Sequence, residues 1–406
     1  MINQLIHRLL KRRHFWRHAT FSEVAELYAS RLLRLFALRL VSAFTSVYLF
    51  QEGFSVLFIV LYWAAFYGLK VPFSWPGALL IARFGPKHAT LVSNIVSSIA
   101  MVALPFVTDP VYGAAALAAW LVLQAFSGSM NDLAYLVDFS KVKNVQHAGK
   151  ELGYMNIVEK IAAGSSPVIG GFTAYLFGPE SIMVIAAVFF MLSAVPLLLT
   201  AEPIKLQKGL NFRRYPWRMT ARSFVAQAAL GFDVFVTGTA WSLFLVLVVF
   251  VSGTDRVYAE IGVVTSVTLF IALLASYGFG RLIDHRKGGE LLRYATRLNS
   301  VVHVVRMFVT TPVGVVLANA FNEAATAGYS MPFMRGMFDL ADRSGKRIEY
   351  LFIIEMAGNF GAMIAALVLA GLLLVLDAAA SIQVFFLVAA FVTLLITSAK
   401  FPLYRR

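Results

Sequence analysis

Long apolar runs alternate with short polar connections along almost the whole chain, and none of the runs alternates at period two. A helix that crosses a bilayer needs about 20 mostly apolar residues, whereas a membrane barrel strand shows about ten residues of alternating character. The pattern predicts twelve crossing helices, at 31–51, 54–82, 88–108, 111–138, 152–177, 180–199, 223–251, 257–280, 291–311, 313–338, 348–375 and 378–399. They are called spans 1 to 12 below. The longest connection, 201–222, divides them six and six.

The connections differ by side. One side carries Arg8, Lys11, Arg12, Arg13 and Arg17 before span 1, then Arg83 and Lys87, Lys141 and Lys143, Lys205 to Arg218, Arg281 to Lys287, Arg343 to Arg347, and Lys400 to Arg406. The other has tight turns such as Gln51-Glu52-Gly53 and Thr108-Asp109-Pro110, with Arg256 as its clear basic residue. Cytoplasmic loops retain Lys and Arg, so both termini are expected in the cytoplasm and the protein in the inner or plasma membrane. No cleavable signal peptide is expected. Residues 1–30 read as a basic amphipathic lead-in, with Ile2, Leu5, Ile6, Leu9 and Leu10 on one helical face. Residues 31–200 then form one six-helix bundle, 201–222 a linker, 223–399 a second bundle and 400–406 a tail.

A shift of 196 residues lays Gly149-Lys150 on Gly345-Lys346, Tyr154 on Tyr350, Ile157 on Ile353 and Glu159 on Glu355. Both copies start on the same side, so the halves are expected to be parallel repeats about an axis along the membrane normal. Composition agrees: the 406 residues are 59% hydrophobic and 14% charged, against about a quarter charged in soluble domains. The net charge of +14 sits in the loops and is read as topology, not as nucleic-acid binding. With no cysteine there is no disulfide framework or thiolate metal site. No phosphate loop, nucleophile elbow or histidine pair appears either, so neither an enzyme nor a cofactor or metal is expected.

The connection after span 8 reads Gly280-Arg281-Leu282-Ile283-Asp284-His285-Arg286-Lys287, and the one after span 2 reads Ala82-Arg83-Phe84-Gly85-Pro86-Lys87. Span 5 contains Ser166-Pro167-Val168-Ile169-Gly170-Gly171. With twelve helices in two parallel halves, these motifs resemble the major facilitator superfamily of secondary transporters, over about Leu32 to Lys400. The resemblance implies an all-α membrane protein of two six-helix bundles that rock about a central site. It also implies that spans 1, 4, 7 and 10 line the cavity, with 2, 5, 8 and 11 beside them. Arg83, Gly85, Lys87, Gly280 and Asp284 then form a cytoplasmic latch. Ala82 stands where the family has Asp, so Asp132 or Asp138, low on span 4, is the expected substitute partner for Arg83. Pro167, Gly170 and Gly171 match an element of the superfamily's exporters and, physically, allow close helix packing.

Ionisable groups inside spans are costly and mark pathways. Glu323 is the first candidate for proton coupling and Asp233 the second, with Arg39 able to pair with Asp233 across the halves. Arg39 and Lys70 could attract an anion. Tyr67, Asn131, Asn319, Asn322, Trp241 and Tyr329 are candidate cavity residues. The repeat-related Glu159 and Glu355 read as gating acids, Glu159 having Lys160 beside it. Arg297 and Arg306 read as snorkelling from span 9, and His303 is left as a packed histidine. The expected function is proton-coupled export of a small organic or amphipathic solute by a monomer. The alternatives are uptake of an anionic metabolite, movement of lipid or lysolipid, and a membrane scaffold or sensor.

Overall fold

The computed structural model describes residues 21–42, 45–142, 148–198, 209–250 and 287–404, with the isolated Val263. Span 1 is built of the helices Phe21–Ser42 and Thr45–Gln51, span 2 of Val56–Phe84, span 3 of Pro86–Ala103, span 4 of Gly113–Val142, span 5 of Ala148–Phe177 and span 6 of Pro179–Ala194. Span 7 runs Trp217–Val249. Spans 9 to 12 are the helices Gly288–Arg306, Pro312–Ser344, Arg347–Leu373 and Ala378–Thr393. Apart from Val263, span 8 lies outside the described residues, as does the lead-in to residue 20. Eight of these helices are long and apolar enough to cross a membrane on those grounds alone. Spans 5, 9 and 10 are not among the eight; they carry polar and charged residues, among them Lys160, Arg306 and Glu323.

Local chemistry sets the helix ends. Gly85, at φ +90°, turns the chain between spans 2 and 3, and Pro86 opens the next helix. Gly178, at φ +84°, and Pro179 repeat the device between spans 5 and 6. Such positive φ is open to glycine and strained for other residues, while proline suits the first helical turn because its missing N–H was unbonded there anyway. The Thr311 side chain caps span 10 by accepting from the Gly314 N–H, and Asp377 caps span 12 by accepting from Ala379 and Ala380.

Packing repeats with a period of six spans. Spans 1 and 5, 3 and 4, 3 and 6, and 1 and 6 pack together in the first half; 7 and 11, 9 and 10, 9 and 12, and 7 and 12 do so in the second. In the 7–11 pair the backbones nearly touch: a Cβ on Gly231 would lie 1.8 Å from the Gly358 carbonyl oxygen, and one on Gly361 would lie 1.8 Å from that of Ala228. The halves meet chiefly where span 2 lies along span 11, with a further contact of span 5 on span 10.

The apolar core divides into two clusters, each drawn from both halves. One contains Val47, Trp63, Phe190, Phe244 and Phe386, at the end away from the linker. The other contains Ile81, Phe139, Phe338, Tyr350 and Phe401, at the end carrying the linker and the tail. These ends are called distal and proximal. Along the chain, Lys70, Asp233, His303, Glu323 and Glu355 all fall between residues of the distal cluster and residues of the proximal one. A polar layer therefore sits at mid-depth.

Candidate functional site

Two ion-pair groups bridge the halves within this layer. The Lys70 Nζ of span 2 lies 2.8 Å from Asp132 Oδ2 of span 4 and 3.5 Å from Glu355 Oε1 of span 11. Asn359 holds that Glu355 oxygen by donating from Nδ2 at 2.7 Å. Lys70 is buried, but the Asp132 side chain is 40% exposed, so this group opens onto accessible space. The second bridge joins Lys160 of span 5 to Glu323 of span 10, both partly exposed. Arg39 of span 1 is exposed and enters no ion pair among the described residues. It nevertheless acts electrostatically on Glu323 and on the half-buried Tyr67.

Each half also has a polar heart of its own. In the first, Arg34 donates to Asn94 Oδ1 at 2.5 Å and to Ser127 Oγ at 3.4 Å, with its guanidinium 5.3 Å from the Phe190 ring centre. Arg31, one turn earlier, pairs with Glu159 at 3.0 Å and covers the Tyr135 ring at 3.8 Å. In the second, Asp233 is bonded to His303 at 2.6 Å, to Asn299 at 3.0 Å and to the Tyr329 hydroxyl. Asn322 extends the set by donating to Asn299 Oδ1 at 2.7 Å. Directly after Asp233, span 7 widens into π-helical winding over Val236–Ala240, and again over Leu245–Val249. Such turns are uncommon and cluster at functional sites.

Arg306 is almost completely buried, with its guanidinium 4.5 Å over the Trp241 ring and Nη2 donating to Asn319 Oδ1 at 3.4 Å. Among the described residues, its Nε and Nη1, the His303 Nδ1 and the Trp241 Nε1 have no hydrogen-bond partner. Buried polar atoms are nearly always satisfied, so this corner has donor capacity beyond what the chain uses.

Several expectations are corrected. Asp132 does not partner Arg83: it takes Lys70 at mid-depth, whereas Arg83 is exposed at the proximal end, 5.5 Å from the Phe84 ring centre. Arg39 does not pair with Asp233, which is hydrogen-bonded to His303 within its own bundle. Glu323, which has no base near it in sequence, is met by Lys160 from the other bundle. Glu159 is therefore paired with Arg31 and not with its sequence neighbour. Arg306 does not snorkel outward; it is the least exposed arginine described. His303 is packed, as expected, and hydrogen-bonds the buried Asp233 carboxylate.

Of the latch residues, Gly280 and Asp284 lie outside the described residues. Gly85 makes the reversal, and Lys87 lies 3.7 Å from Glu26. Asn131, Tyr329, Trp241 and Asn322 are buried within the layer or at its edge. Pro167 lies inside the span 5 helix, where Gly170 and Gly171 are also buried. The sequence reading missed Arg31, Arg34, Asn94 and Asn299, and the pairing of Lys160 with Glu323. For span 9 a signal was present: Thr296, Asn299, His303 and Arg306 recur at helical spacing as one polar stripe.

The general model of the Major Facilitator Superfamily matches residues 27–318. The sequence matches no curated protein significantly. Among solved structures, the human organic anion transporter MFSD10 (TETRAN) superposes with a TM-score of 0.68 at 13% identity, covering 92% of this chain and 100% of that one. A bacterial homologue of the iron transporter ferroportin, outward-facing, gives 0.68 at 14% identity over 92% and 98%. FucP in its outward conformation gives 0.66 at 14% identity over 92% and 96%. These likenesses speak for the fold, which implies twelve crossing helices. With a packing pattern that repeats after six spans and a charged layer between the two halves, this multi-pass membrane chain belongs to the Major Facilitator Superfamily of secondary transporters.

Proposed function

We propose that the protein is a proton-coupled transporter of a small organic solute bearing an anionic group, and that Glu323 carries the coupling proton. The observation that carries this reading is the Lys160–Glu323 bridge between the bundles, with the exposed, unpaired Arg39 acting on the same carboxylate. The bridge must open whenever the bundles separate there. A substrate anion that engages Arg39 and Lys160 leaves Glu323 as a lone carboxylate in a chamber of low dielectric, and such a group takes a proton. Anion and proton therefore bind together. Charge neutralisation on both sides of the interface then lets the bundles rock, and a membrane potential contributes about 2.3 kcal/mol per net charge per 100 mV.

This linkage favours uptake with protons over the exporter reading, which rests on Pro167, Gly170 and Gly171. Export by proton exchange is the second reading, and that element in span 5 is what favours it. The bundle limits 31–200 and 223–399, the linker 201–222, cytoplasmic termini and a monomeric state complete the proposal. The loop charge supports the orientation, since the proximal end carries the basic connections.

The test is flux into proteoliposomes under an imposed pH gradient, across mono- and dicarboxylates, organic phosphates and organic cations. Glu323→Gln is expected to equilibrate the accepted solute yet fail to concentrate it, and Arg39→Gln to raise KM. Unchanged concentrative transport by Glu323→Gln would falsify the coupling role. An outward, counter-gradient flux identifies the exporter, and the absence of flux with every class leaves the scaffold reading.

A further inference from the structure

At the proximal end of the second bundle, a cavity of about 350 Å³ lies between the start of span 7 and the tail. Arg218, Arg222 and Lys400 line it together with Ser223, and its apolar walls include Met219, Leu340 and Phe401. No acidic residue takes part in the lining. All three cations are exposed, and none forms an ion pair among the described residues. Arg218 and Arg222 are four residues apart on one helix face, an arrangement in which like charges repel. Both also stand in the first two turns of their helix, Arg218 directly after its first residue, at the end whose dipole disfavours cations. Three mutually unfavourable charges on one concave site become favourable once an anion occupies it.

The tail is seated firmly enough to make this a built site. Phe401 packs edge-on against Phe333 at 5.3 Å and fills the space over Gly336, where a Cβ would come within 2.3 Å of its ring. Tyr404 donates to the Pro332 carbonyl at 3.0 Å and lies against Gly288 and Gly289. Lys400 is thus held at the rim beside the two arginines. Trp217, next to Arg218, is 55% exposed, which suits an indole at headgroup level. Leu394 and Leu395, in the last turns of span 12, are exposed as well and give acyl chains an apolar margin.

We infer that this cavity binds an anionic phosphate group, presented by a bilayer lipid whose headgroup enters between Arg218, Arg222 and Lys400. Basic pockets between helices at the membrane surface suit such headgroups, and the volume lies within the range of small-molecule sites, about 300–1,000 Å³. The inference does not depend on the transport reading, since none of these residues belongs to the mid-depth layer.

Native mass spectrometry of the full chain in mild detergent tests it, with phosphatidylglycerol, phosphatidylcholine of matched chains and inorganic phosphate as probes. Phosphatidylglycerol is expected to be retained over phosphatidylcholine by roughly tenfold or more, as three cations near a headgroup imply. The triple variant R218Q/R222Q/K400Q should lose that preference, while R218K/R222K/K400R and the control R213Q/R293Q/K346Q keep it. Retention of inorganic phosphate at the same residues, without lipid preference, supports the phosphate site and assigns it to a soluble ligand. Equal retention of both lipids with no phosphate bound, or a preference that survives the glutamine triple, overturns it. Should the triple variant fail to fold, the lipid preference of the unmodified protein and of K400Q decides the matter.

Discussion

Deep in each bundle a charged group is held by polar partners: the Arg34 guanidinium in the first, and the Asp233 carboxylate, in the same bundle as the buried Arg306, in the second. Arg34 of span 1 is held by Asn94 of span 3 and Ser127 of span 4; Asp233 of span 7 is held by Asn299 and His303 of span 9 and by Tyr329 of span 10. The helix triplets correspond across the six-span period, so the same architecture has been filled with different ionisable groups. The chemistry differs accordingly. Arginine stays protonated throughout the physiological range and its partners here are neutral, so the first heart is a fixed positive charge. A carboxylate bonded to imidazole and phenol can exchange protons. The first heart offers static attraction for an anion, and the second sets beside the fixed charge of Arg306 groups that can change charge during a cycle.

Thermal unfolding in detergent tests the contrast most strongly. Asp233→Leu strips His303, Asn299 and Tyr329 of a common acceptor, with an expected loss of about 3–5 kcal/mol, as for a broken buried pair. Arg34→Met should lose less, about 1–3 kcal/mol, the cost of leaving Asn94 and Ser127 without their donor. Equal losses would erase the distinction.

Glycine contacts give a second comparison. Gly231→Ala must push spans 7 and 11 apart, with an expected cost of about 1–3 kcal/mol for overpacking. Gly77→Ala in the first bundle meets the Met130 Cα at 3.3 Å, a contact relieved by a small shift, and should cost less. A smaller effect is expected from exchanging the bridge charges. If Lys160 and Glu323 act as a pair, K160E/E323K recovers flux lost in both single variants, with a coupling of about 0.5–2 kcal/mol; no recovery would show that they act separately. The subtlest expected change is one of shape. His303→Gln should flatten the dependence of flux on pH between about 5 and 8, whereas Arg34→Lys should leave the profile alone.

The architecture was legible in the sequence because a bilayer imposes it: about 20 apolar residues per crossing, basic loops on alternate connections, and Gly-Pro reversals where helices turn back. Glu323, Asp233, Arg39 and Lys70 were legible as costly intramembrane charges. Their partners were not. Glu159 and Lys160 are adjacent in sequence and so point to different sides of a helix; one faces Arg31 in its own bundle and the other crosses the interface. Span 9 misled for a related reason. Its exposed side carries Tyr294, Leu298, Val301 and Val305 with Arg293 and Arg297, while Asn299, His303 and Arg306 are buried. Counting charges per helix conceals that arrangement, and projecting Asn299, His303 and Arg306 onto a wheel reveals it.

The π-wound stretch of span 7 gives that helix slack. When such a turn tightens to α geometry, everything beyond it advances by about one residue, roughly 1.5 Å along the axis, and swivels by about 100°. Asp233 lies just before the slack and Trp241 just after it. The carboxylate can thus stay anchored in its network while the indole turns beneath the Arg306 guanidinium. The distal third of the helix would move as a separate lever, hinged at the chemical centre of its bundle.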